Sequence, residues 1–544
     1  LKIMVGLIRC LCNPISPEIL SVPYPMMPLL RQNCGRRTVI ELTLLEGKTV
    51  LGMPQYNMSK QIGAKLRNGR LYRLGLITDD QIDHLTSKVV QIIRSDCTTV
   101  RMVFPDQHGI LRGKVICKDR LPSFVADGIG MPSTLLLKDT SHRTVFPVWS
   151  QQSVSPPYLF SGAADIVAVP DMDSIFDFNW LGPSKLILCD LIQRDGAIIE
   201  FAPRQLLRSA IKKLESAGYR ALIGLEVEFQ IFKVKDRSLQ HTASNMPPKS
   251  IETENTTQGW QYLTEIKYSE VSEILEELRA CCETLNLGLQ TIEIEMGPSQ
   301  FEFTFSADSP LVQADKYVLF RTMVKEICAK NGLHATFMAK PVMPNSAANG
   351  WHIHQSLIDA KTGVNAFMKT NNPKSTAVGD RWIAGLLNCA SECCILTTPT
   401  VNGFKRYQPN QLAPVNINWG YDNRGVLIRS LIFDLDPNSR VENRAAESAA
   451  NPYYAIASQL ASGLHGLKSK LNLPPPATSP YSRTEAQLPQ TLGEAITAFK
   501  DSEMLKLFFG EHFVDYLCTI KAAEWQRYTL SVSQWEQDEY FNNF

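Results

Sequence analysis

Four short segments of this chain alternate charged and apolar side chains in the manner of β-strands. They read GLEVEF at 224–229, QFEFTF at 300–305, WHIHQS at 351–356 and RVENR at 440–444. Because side chains two residues apart lie on the same face of a strand, Glu226 and Glu228 face one side while Val227 and Phe229 face the other. The alternation predicts a largely antiparallel sheet with one polar face and one apolar face.

The polar faces of these segments carry residues that bind metal ions. The candidate ligands are Glu226, Glu228, Glu295, Glu302, His352 and Glu442. Of these, Glu295 lies just across a turn from Glu302. An ordinary half-exposed sheet is the alternative for any one strand, but carboxylates gathered on one face repel unless cations neutralise them. Five carboxylates and one imidazole suit two divalent cations such as Mg²⁺ or Mn²⁺.

Five arginines lie downstream of most of these ligands: Arg406, Arg424, Arg429, Arg440 and Arg444. Together with the metal ligands, they predict a site that holds a metal–nucleotide complex and transfers a phosphoryl group. A P-loop does not supply this function, because the EGKT at 46–49 has Leu42 where the first glycine of that motif is required.

The composition excludes several other classes of protein. The 55 basic and 54 acidic residues nearly cancel, so no global field favours nucleic acid or a membrane surface. No stretch approaches the roughly 20 apolar residues of a membrane span. The 13 cysteines lack the paired spacing of a zinc site and are expected to be reduced thiols of a cytoplasmic protein.

The sequence divides into three predicted parts. Residues 1–75 show weak periodicity and are interpreted as an N-terminal extension of uncertain order. Residues 76–195 begin with a helical pattern and continue with two strands joined by a turn at Asp106–Gly109, which indicates a small α+β domain. Residues 196–544 alternate strands with long helices and carry all the candidate residues named above. The predicted fold class is therefore α+β.

In order and spacing, the motifs resemble those of the glutamine synthetase superfamily. The resemblance rests on GLEVEF, EMGPSQFE, ATFMAKP, NGWHIHQSL, NGFKRY, DNRGVLIR and RVENRAAESAANPYYA, and covers roughly residues 76–544. It implies a small N-terminal β-grasp domain followed by a catalytic domain whose curved antiparallel sheet is flanked by helices. It also implies a homo-oligomer, a ring of six subunits usually stacked as a dodecamer, in which a neighbour's β-grasp domain completes each site.

The resemblance also assigns a role to each candidate residue. One metal ion would be held by Glu228, Glu295 and Glu302, and the other by Glu226, His352 and Glu442. ATP would be contacted by Ser356 near the base and, at the phosphates, by Arg424, Arg429 and Arg440. Glutamate would be contacted by Arg406, Arg444, Glu295 and Gly350. The groups expected to act in catalysis are Arg406, Arg424 and Arg444.

The reaction that the resemblance implies is the ATP-dependent joining of glutamate to an amine. ATP phosphorylates the γ-carboxylate, and the amine then displaces phosphate to form an amide. Formation of the acyl phosphate places charge on oxygen atoms that metal ions and arginines must neutralise, which suits the predicted ligand set. Ala347 and Ala348 stand where the family has an Asn-Gly pair that contacts glutamate.

Two departures from the family pattern concern the amine. The family captures ammonium with a glutamate in a PGYEAP flap and an aspartate in a DGSS stretch. Here the flap reads PNQLAP, with Leu412 at the glutamate position, and the pattern resumes without a DGSS at SGAADIVAVPD, which contains Asp165. A leucine offers burial to the organic part of an amine and adds no charge. We therefore expect an amine larger and less polar than ammonia, with Leu412, Trp351 and Asp165 in its pocket.

These departures resemble the γ-glutamyl-amide branch of the superfamily, which includes γ-glutamylanilide and γ-glutamylpolyamine synthetases. An aromatic or alkyl amine fits Leu412 better than a polyamine, whose second charge would favour a carboxylate. Two alternatives stay open: a glutamine synthetase that uses ammonia, and a non-catalytic structural relative that keeps the ring. The intact set of metal ligands weighs against the non-catalytic relative.

Overall fold

The structure, a computed structural model, describes residues 55–149, 156–369, 377–482 and 486–544. Within these residues, no helix has both the length and the apolar character needed to cross a membrane. The greater part of the predicted N-terminal extension, residues 1–54, lies outside the described residues.

The elements of the described residues are numbered here in chain order. The α-helices are α1 Gln55–Arg67, α2 Arg70–Arg73, α3 Asp79–Arg94, α4 Leu121–Asp127, α5 Pro203–Glu215, α6 Glu265–Thr284, α7 Pro310–Lys330, α8 Ala377–Asn388, α9 Ala390–Thr397, α10 Pro452–Lys468, α11 Leu492–Asp501, α12 Glu503–Phe509, α13 Glu511–Thr529 and α14 Gln534–Tyr540. The strands are β1 Thr99–Pro105, β2 Leu111–Cys117, β3 Ile129–Pro132, β4 Asp165–Asp177, β5 Ser184–Ile192, β6 Tyr219–Asp236, β7 Glu252–Asn255, β8 Leu289–Ile294, β9 Gln300–Asp308, β10 Leu333–Thr336, β11 Trp351–Asp359, β12 Trp419–Tyr421, β13 Ile428–Leu431 and β14 Arg440–Asn443.

Helices α1 and α2 lie at the end of the predicted N-terminal extension. Met58, Ile62 and Leu66 recur every four residues along α1 and are buried, as is Leu71 in α2. Such a stripe is narrow, and polar side chains surround it in the sequence, so the apolar periodicity is weak. The small domain therefore extends further toward the N-terminus than predicted.

A five-stranded mixed sheet forms the core of the small domain. Its order is β2-β1-β5-β4-β3, with β1 and β5 parallel and the other neighbours antiparallel. The predicted hairpin of β1 and β2 is confirmed, and Asp106 Oδ1 closes its turn by accepting hydrogen bonds from the backbone N–H groups of His108 and Ile110. Gly109 in this turn has a φ of 69°, a conformation that favours glycine.

A nine-stranded sheet carries the candidate residues. Its main order is β12-β13-β14-β11-β6-β9-β8, and β7 and β10 also pair with β6. Every pair is antiparallel except β12 with β13. The four strands predicted from side-chain alternation are therefore neighbours in the order β14-β11-β6-β9, and their polar faces form one continuous surface.

The apolar face of the large sheet packs against α7. Phe229 of β6 lies with its ring centroid 5.6 Å from that of Phe320 in α7, and 5.4 Å from that of Phe303 in β9. Trp351 of β11 stacks on Tyr317 of α7, with their centroids 4.6 Å apart. Burial of each such ring stabilises the fold by about 1.5–3 kcal/mol. This aromatic layer backs the strands and fixes the positions of the polar side chains on the opposite face.

Candidate active site

The register of the large sheet brings the candidate metal ligands into facing pairs. Glu226 of β6 lies opposite His352 of β11, and Glu228 of β6 lies opposite Glu302 of β9. On the other side of β11, Glu442 of β14 lies opposite His354. Glu226, Glu228, Glu302 and His352 form the floor of a cavity of about 570 Å³, a volume in the range of ligand-binding pockets.

One predicted metal-binding group is assembled on this floor. Glu226, His352 and Glu442 each offer a ligand atom, and these atoms all lie within 4.8 Å of one another. His352 Nδ1 is 3.0 Å from a carboxylate oxygen of Glu226 and 3.6 Å from one of Glu442. Burial, with the nearby charge of Arg444, lowers the pKa of His352, so the imidazole is neutral and able to bind a metal ion.

The second predicted group is divided between two clusters. Glu228 and Glu302 lie together with His352, whereas Glu295 and Glu302 lie together with Glu293. Sequence reasoning missed Glu293, although it is two residues from Glu295 in TIEIEM and alternation alone could have placed both on one face. Glu302 belongs to both clusters, so its carboxylate is central to any cation bound here.

Three carboxylates of the cavity, Glu228, Glu295 and Glu302, are poorly neutralised by the protein itself. Burial, reinforced by neighbouring carboxylates, raises the pKa of Glu302 to about 10 and that of Glu228 to about 8. Burial likewise raises the pKa of Glu295 to about 7. Such groups hold protons in place of a missing positive charge. The residues present therefore fit divalent cations, which would replace these protons with oxygen-bound metal ions.

A pH dependence of metal binding follows from these raised pKa values. Below about pH 6 the carboxyls hold protons that a metal ion must displace, so the affinity for Mg²⁺ or Mn²⁺ is expected to rise about tenfold or more between about pH 6 and pH 8. Calorimetry in buffers of different ionisation enthalpy should record release of at least one proton per ion at about pH 7. An affinity that does not change with pH, without proton release, would contradict this account.

The same pKa values set the stability of the metal-free protein. Because the folded pKa values of Glu228, Glu295 and Glu302 lie above the ordinary value of 4.5, the stability that they contribute is complete below about pH 4.5. It is lost as the pH rises through about 7 to 10. The melting temperature of the metal-free protein should therefore fall over that window, and added Mg²⁺ should restore it most strongly at the alkaline end.

Two arginines hold the buried carboxylate of Glu442. Arg429 Nη1 donates to one of its oxygens at 3.0 Å, and Arg444 Nη1 donates to the other. Although burial opposes ionisation, the positive charge of Arg444 lowers the pKa of Glu442, so it stays charged. Arg429 also donates to Asp422, and its remaining hydrogen-bonding capacity faces the cavity.

Of the five candidate arginines, four line the cavity: Arg406, Arg424, Arg429 and Arg444. Arg406 is buried and donates to the backbone oxygens of Ala445 and Ala446 at 2.9 and 3.0 Å, which fixes its guanidinium. Arg440 does not line the cavity, and its Nε donates to His354 Nδ1 at 3.1 Å. Ser356 lies two residues beyond His354 on the same face of β11, also outside the cavity lining. The roles of Arg440 and Ser356 toward ATP stay predictions.

The predicted glutamate-binding residues meet at one end of the cavity. The backbone N–H of Gly350 donates to Glu228 at 2.8 Å, and Glu295, Ala347 and Gly350 all line the wall. A Cβ atom at position 350 would lie 2.7 Å from Arg406 Nη2, so only glycine lets this guanidinium approach.

The structure corrects one of the three residues predicted for the amine pocket. Leu412 lines the cavity and is 47% exposed. Trp351 does not line it, because neighbours in a strand face opposite sides and Trp351 is buried in the core behind His352. Asp165 lies in β4 of the small sheet, where it pairs with Arg194 at 3.2 Å, outside the cavity lining.

Two aromatic residues that sequence reasoning missed line the cavity instead. Trp260 and Tyr262 lie in the segment between β7 and α6, and each is about half exposed. Trp260 Nε1 donates to the backbone oxygen of Asn345 at 3.1 Å, which orients the indole. The sequence GWQY carries no helical or strand periodicity. Periodicity therefore does not predict that these rings line the same cavity as Leu412.

The fold and the site together define a class of protein: a large, mostly antiparallel sheet whose polar face gathers carboxylates, a histidine and arginines in one cavity. The model of the glutamine synthetase catalytic domain matches residues 200–540. The chain belongs to the glutamine synthetase family. The predicted family and the mixed helix and sheet fold with a glutamine synthetase catalytic domain are thereby confirmed, and the β-grasp character of the small domain stays a prediction.

Individual relatives of the chain extend this likeness. It is 34% identical over 486 residues to a gamma-glutamylanilide synthase of Acinetobacter sp., and the matched region covers 86% of this chain and 97% of the relative. It is 31% identical over 464 residues to a glutamate–isopropylamine ligase of Pseudomonas sp., and the matched region covers 83% of this chain and 96% of the relative. A solved GmaS/ADP complex has the same fold, with a TM-score of 0.69 at 23% identity over 84% of this chain and 99% of that one.

Proposed function

We propose that this protein is an ATP-dependent ligase that joins the γ-carboxylate of glutamate to an amine through a γ-glutamyl phosphate. The observation that carries the proposal is the single cavity in which carboxylates, His352 and four arginines meet an apolar residue, Leu412, at the flap. The similarity to ligases of aniline and isopropylamine supports it. The floor suits phosphoryl transfer, and the flap suits an organic amine.

The arginines perform the electrostatic part of this reaction. Arg406 and Arg444 would bind the carboxylates of glutamate, and Arg424 would face the phosphoryl group in transfer. Arg429, Arg440 and Ser356 would hold the rest of ATP. Two or more Mg²⁺ or Mn²⁺ ions, held by the floor carboxylates and His352, would supply Lewis-acid neutralisation of the phosphate oxygens.

The walls of the cavity support an amine that is aromatic or alkyl. Leu412 offers an apolar contact, and Trp260 and Tyr262 add aromatic surface in the same cavity. Transfer of an aromatic ring or a short alkyl group from water to such walls is favourable by about 25 cal/mol per Å² of apolar surface buried. A polyamine would place its second charge beside these groups without a dedicated carboxylate.

Ammonia is the second candidate substrate, and one observation favours it. Glu293 and Glu295 both reach the cavity, and carboxylates attract a small cation. A glutamine synthetase would use such groups to bind ammonium. Turnover with ammonia at low millimolar concentration, without turnover of aniline or isopropylamine, would support this candidate over the organic amine.

We also propose that the protein works in the cytoplasm as a ring of six subunits stacked as a dodecamer. The family resemblance supports a site at each subunit interface, where a neighbour's small domain would bring Asp165 toward the amine. Light scattering coupled to size-exclusion chromatography tests this directly. A mass of twelve chains is expected, and a stable, active monomer would contradict it.

An amine screen tests the activity. Purified protein with ATP, glutamate and Mg²⁺ should release phosphate on addition of aniline or isopropylamine, and release should depend on glutamate. Replacement of the substrate glutamate by aspartate is the matched control, because the side-chain carboxylate of aspartate is one methylene group too short to reach the transferring phosphoryl group. Absence of phosphate release with every amine and with ammonia would indicate a non-catalytic relative.

Replacing Leu412 with glutamate is expected to change the amine preference. The added carboxylate faces the cavity and attracts ammonium, whereas it removes the apolar contact for an organic amine. We expect kcat/KM for aniline to fall about tenfold or more and that for ammonia to rise, since one buried apolar contact contributes about 1–3 kcal/mol. Leu412→Met is the control that keeps an apolar side chain. No gain for ammonia and no loss for aniline would count against the proposed pocket.

A further inference from the structure

A second cavity, of about 240 Å³, shares no lining residue with the candidate active site. Its walls come from the β1–β2 turn, α7, the segment that follows α9, the start of α10, and α13. Apolar side chains such as Phe337, Leu396 and Leu517 line most of it, and three cations also face it: Arg321, Lys325 and Lys521. The volume lies just below the roughly 300–1,000 Å³ of pockets for drug-sized ligands, so a small molecule fits best.

The positive charge of this cavity is only partly balanced by the protein. No carboxylate lines it. Arg321 donates to backbone oxygens, including those of Ser448, Ala449 and Ala450, and forms no ion pair with any described residue. Lys521 is 2% exposed and pairs with Glu524 at 3.0 Å. Two of three cations therefore lack a counter-ion within the described part of the chain, which favours an anionic ligand.

A buried acceptor gives a second, independent indication of a ligand. Gln107 is 3% exposed, and its side-chain nitrogen donates to the backbone oxygen of Lys138. Its side-chain oxygen Oε1 has no hydrogen-bond partner among the described residues. An unsatisfied buried acceptor costs about 1–3 kcal/mol. A ligand with a hydroxyl or amino group would satisfy it.

We propose that this cavity is a binding site for a small organic acid that has an apolar body and one hydrogen-bond donor. The carboxylate pairs with Lys325, with the positive charges of Arg321 and Lys521 in the same cavity, the apolar body packs against the hydrophobic wall, and the donor reaches Gln107. The site is separate from the glutamate pocket and does not depend on the proposed activity.

The wall of this cavity is connected to the candidate active site. Thr400, in the wall, donates its backbone N–H and its hydroxyl to the two carboxylate oxygens of Glu447, each at 2.9 Å. Glu447 pairs through its backbone with Gly350, and Ser448 Oγ donates to the Gly350 oxygen at 2.8 Å. Because Arg321 holds the Ser448 oxygen, a bound acid would stabilise residues 444–451, and the site is an effector site for that segment.

Binding is tested with 4-hydroxybenzoate as the probe, titrated into the protein without ATP, glutamate or metal. We expect saturable binding that weakens at least fivefold in Lys325→Gln and is unchanged in Lys330→Gln, which alters a lysine of the same helix outside the cavity. Phenol, which lacks the carboxylate, should bind at least tenfold more weakly. Equal binding to Lys325→Gln and the wild type, equal binding of phenol, or no saturation by about 10 mM would overturn the proposal.

Two further measurements test the role of Gln107 and the connection to the active site. In Gln107→Leu the preference for 4-hydroxybenzoate over benzoate should disappear, and retention of that preference would exclude Gln107 as the acceptor. In the wild type, the probe should slow hydrogen exchange of residues 444–451, with no such effect in Lys325→Gln at the same probe concentration. Binding without slower exchange would leave the cavity a ligand site and would contradict its role as an effector site.

Discussion

The Glu302→Gln variant is expected to lose about 10²–10³ in kcat/KM while the metal-free protein keeps its stability near neutral pH. Glu302 lies in two of the three groups that could hold a metal ion. Because burial and neighbouring carboxylates raise its pKa to about 10, the metal-free carboxyl is already protonated at pH 7. Glutamine then replaces a neutral group of the same shape, and only the charge needed for a bound cation is lost.

The melting temperature separates this account from a structural role. In the wild type, Mg²⁺ should raise the melting temperature, and in Glu302→Gln the rise should be smaller, because only the group of Glu226, His352 and Glu442 keeps all its ligands. The fall in stability at alkaline pH should also be smaller in the variant, since its side chain cannot ionise. Gln313→Glu, which would add a carboxylate within the buried core of α7, is a contrasting case that should destabilise the protein at every metal concentration. A Glu302→Gln protein that gains as much stability from Mg²⁺ as the wild type would contradict the assigned role.

The Arg444→Met variant is expected to lower stability by about 3 kcal/mol, which is at the lower end of the cost of breaking a buried ion pair. Glu442 is fully buried and bonded to both Arg444 and Arg429. Methionine fills similar volume but leaves one carboxylate oxygen without its donor. For a chain of 544 residues we expect the melting temperature to fall by about 3 °C, with activity lost as well.

A second substitution shows whether the unpaired charge is the cause. Adding Glu442→Gln to Arg444→Met removes the buried negative charge and should restore most of the lost melting temperature, although not the activity. If the double variant melts as low as Arg444→Met or lower, lost packing around Arg444 explains the effect, and the ion-pair account is wrong.

Side-chain alternation predicted the sheet and most of its polar face because the period of a strand is a local property. Once Glu226 faces the cavity, Glu228 must do so too, and the pairing of β6 with β9 and β11 brings Glu302 and His352 beside them. The same alternation predicts that Glu293 shares a face with Glu295. The same rule shows why Trp351 cannot line the cavity, since it neighbours His352 along the strand and therefore faces the core.

Other parts of the site depend on tertiary contacts that no local pattern encodes. Trp260 and Tyr262 come from a segment without periodicity, and they reach the cavity because the segment between β7 and α6 folds back over the sheet. The end of the predicted N-terminal extension is ordered because α1 packs its narrow stripe against neighbouring helices. Asp165 would reach an amine only in the site of a neighbouring subunit, so its role depends on the assembly of the oligomer.

The central claim is that the protein activates the γ-carboxylate of glutamate by phosphorylation and transfers the acyl group to an organic amine. The most direct test uses glutamate with ¹⁸O in its γ-carboxylate, together with ATP, Mg²⁺ and aniline, and mass spectrometry of both products. An acyl phosphate requires that one ¹⁸O passes to inorganic phosphate for each γ-glutamylanilide formed. Unlabelled phosphate, or labelled phosphate that appears only when ammonia replaces aniline, would contradict the account.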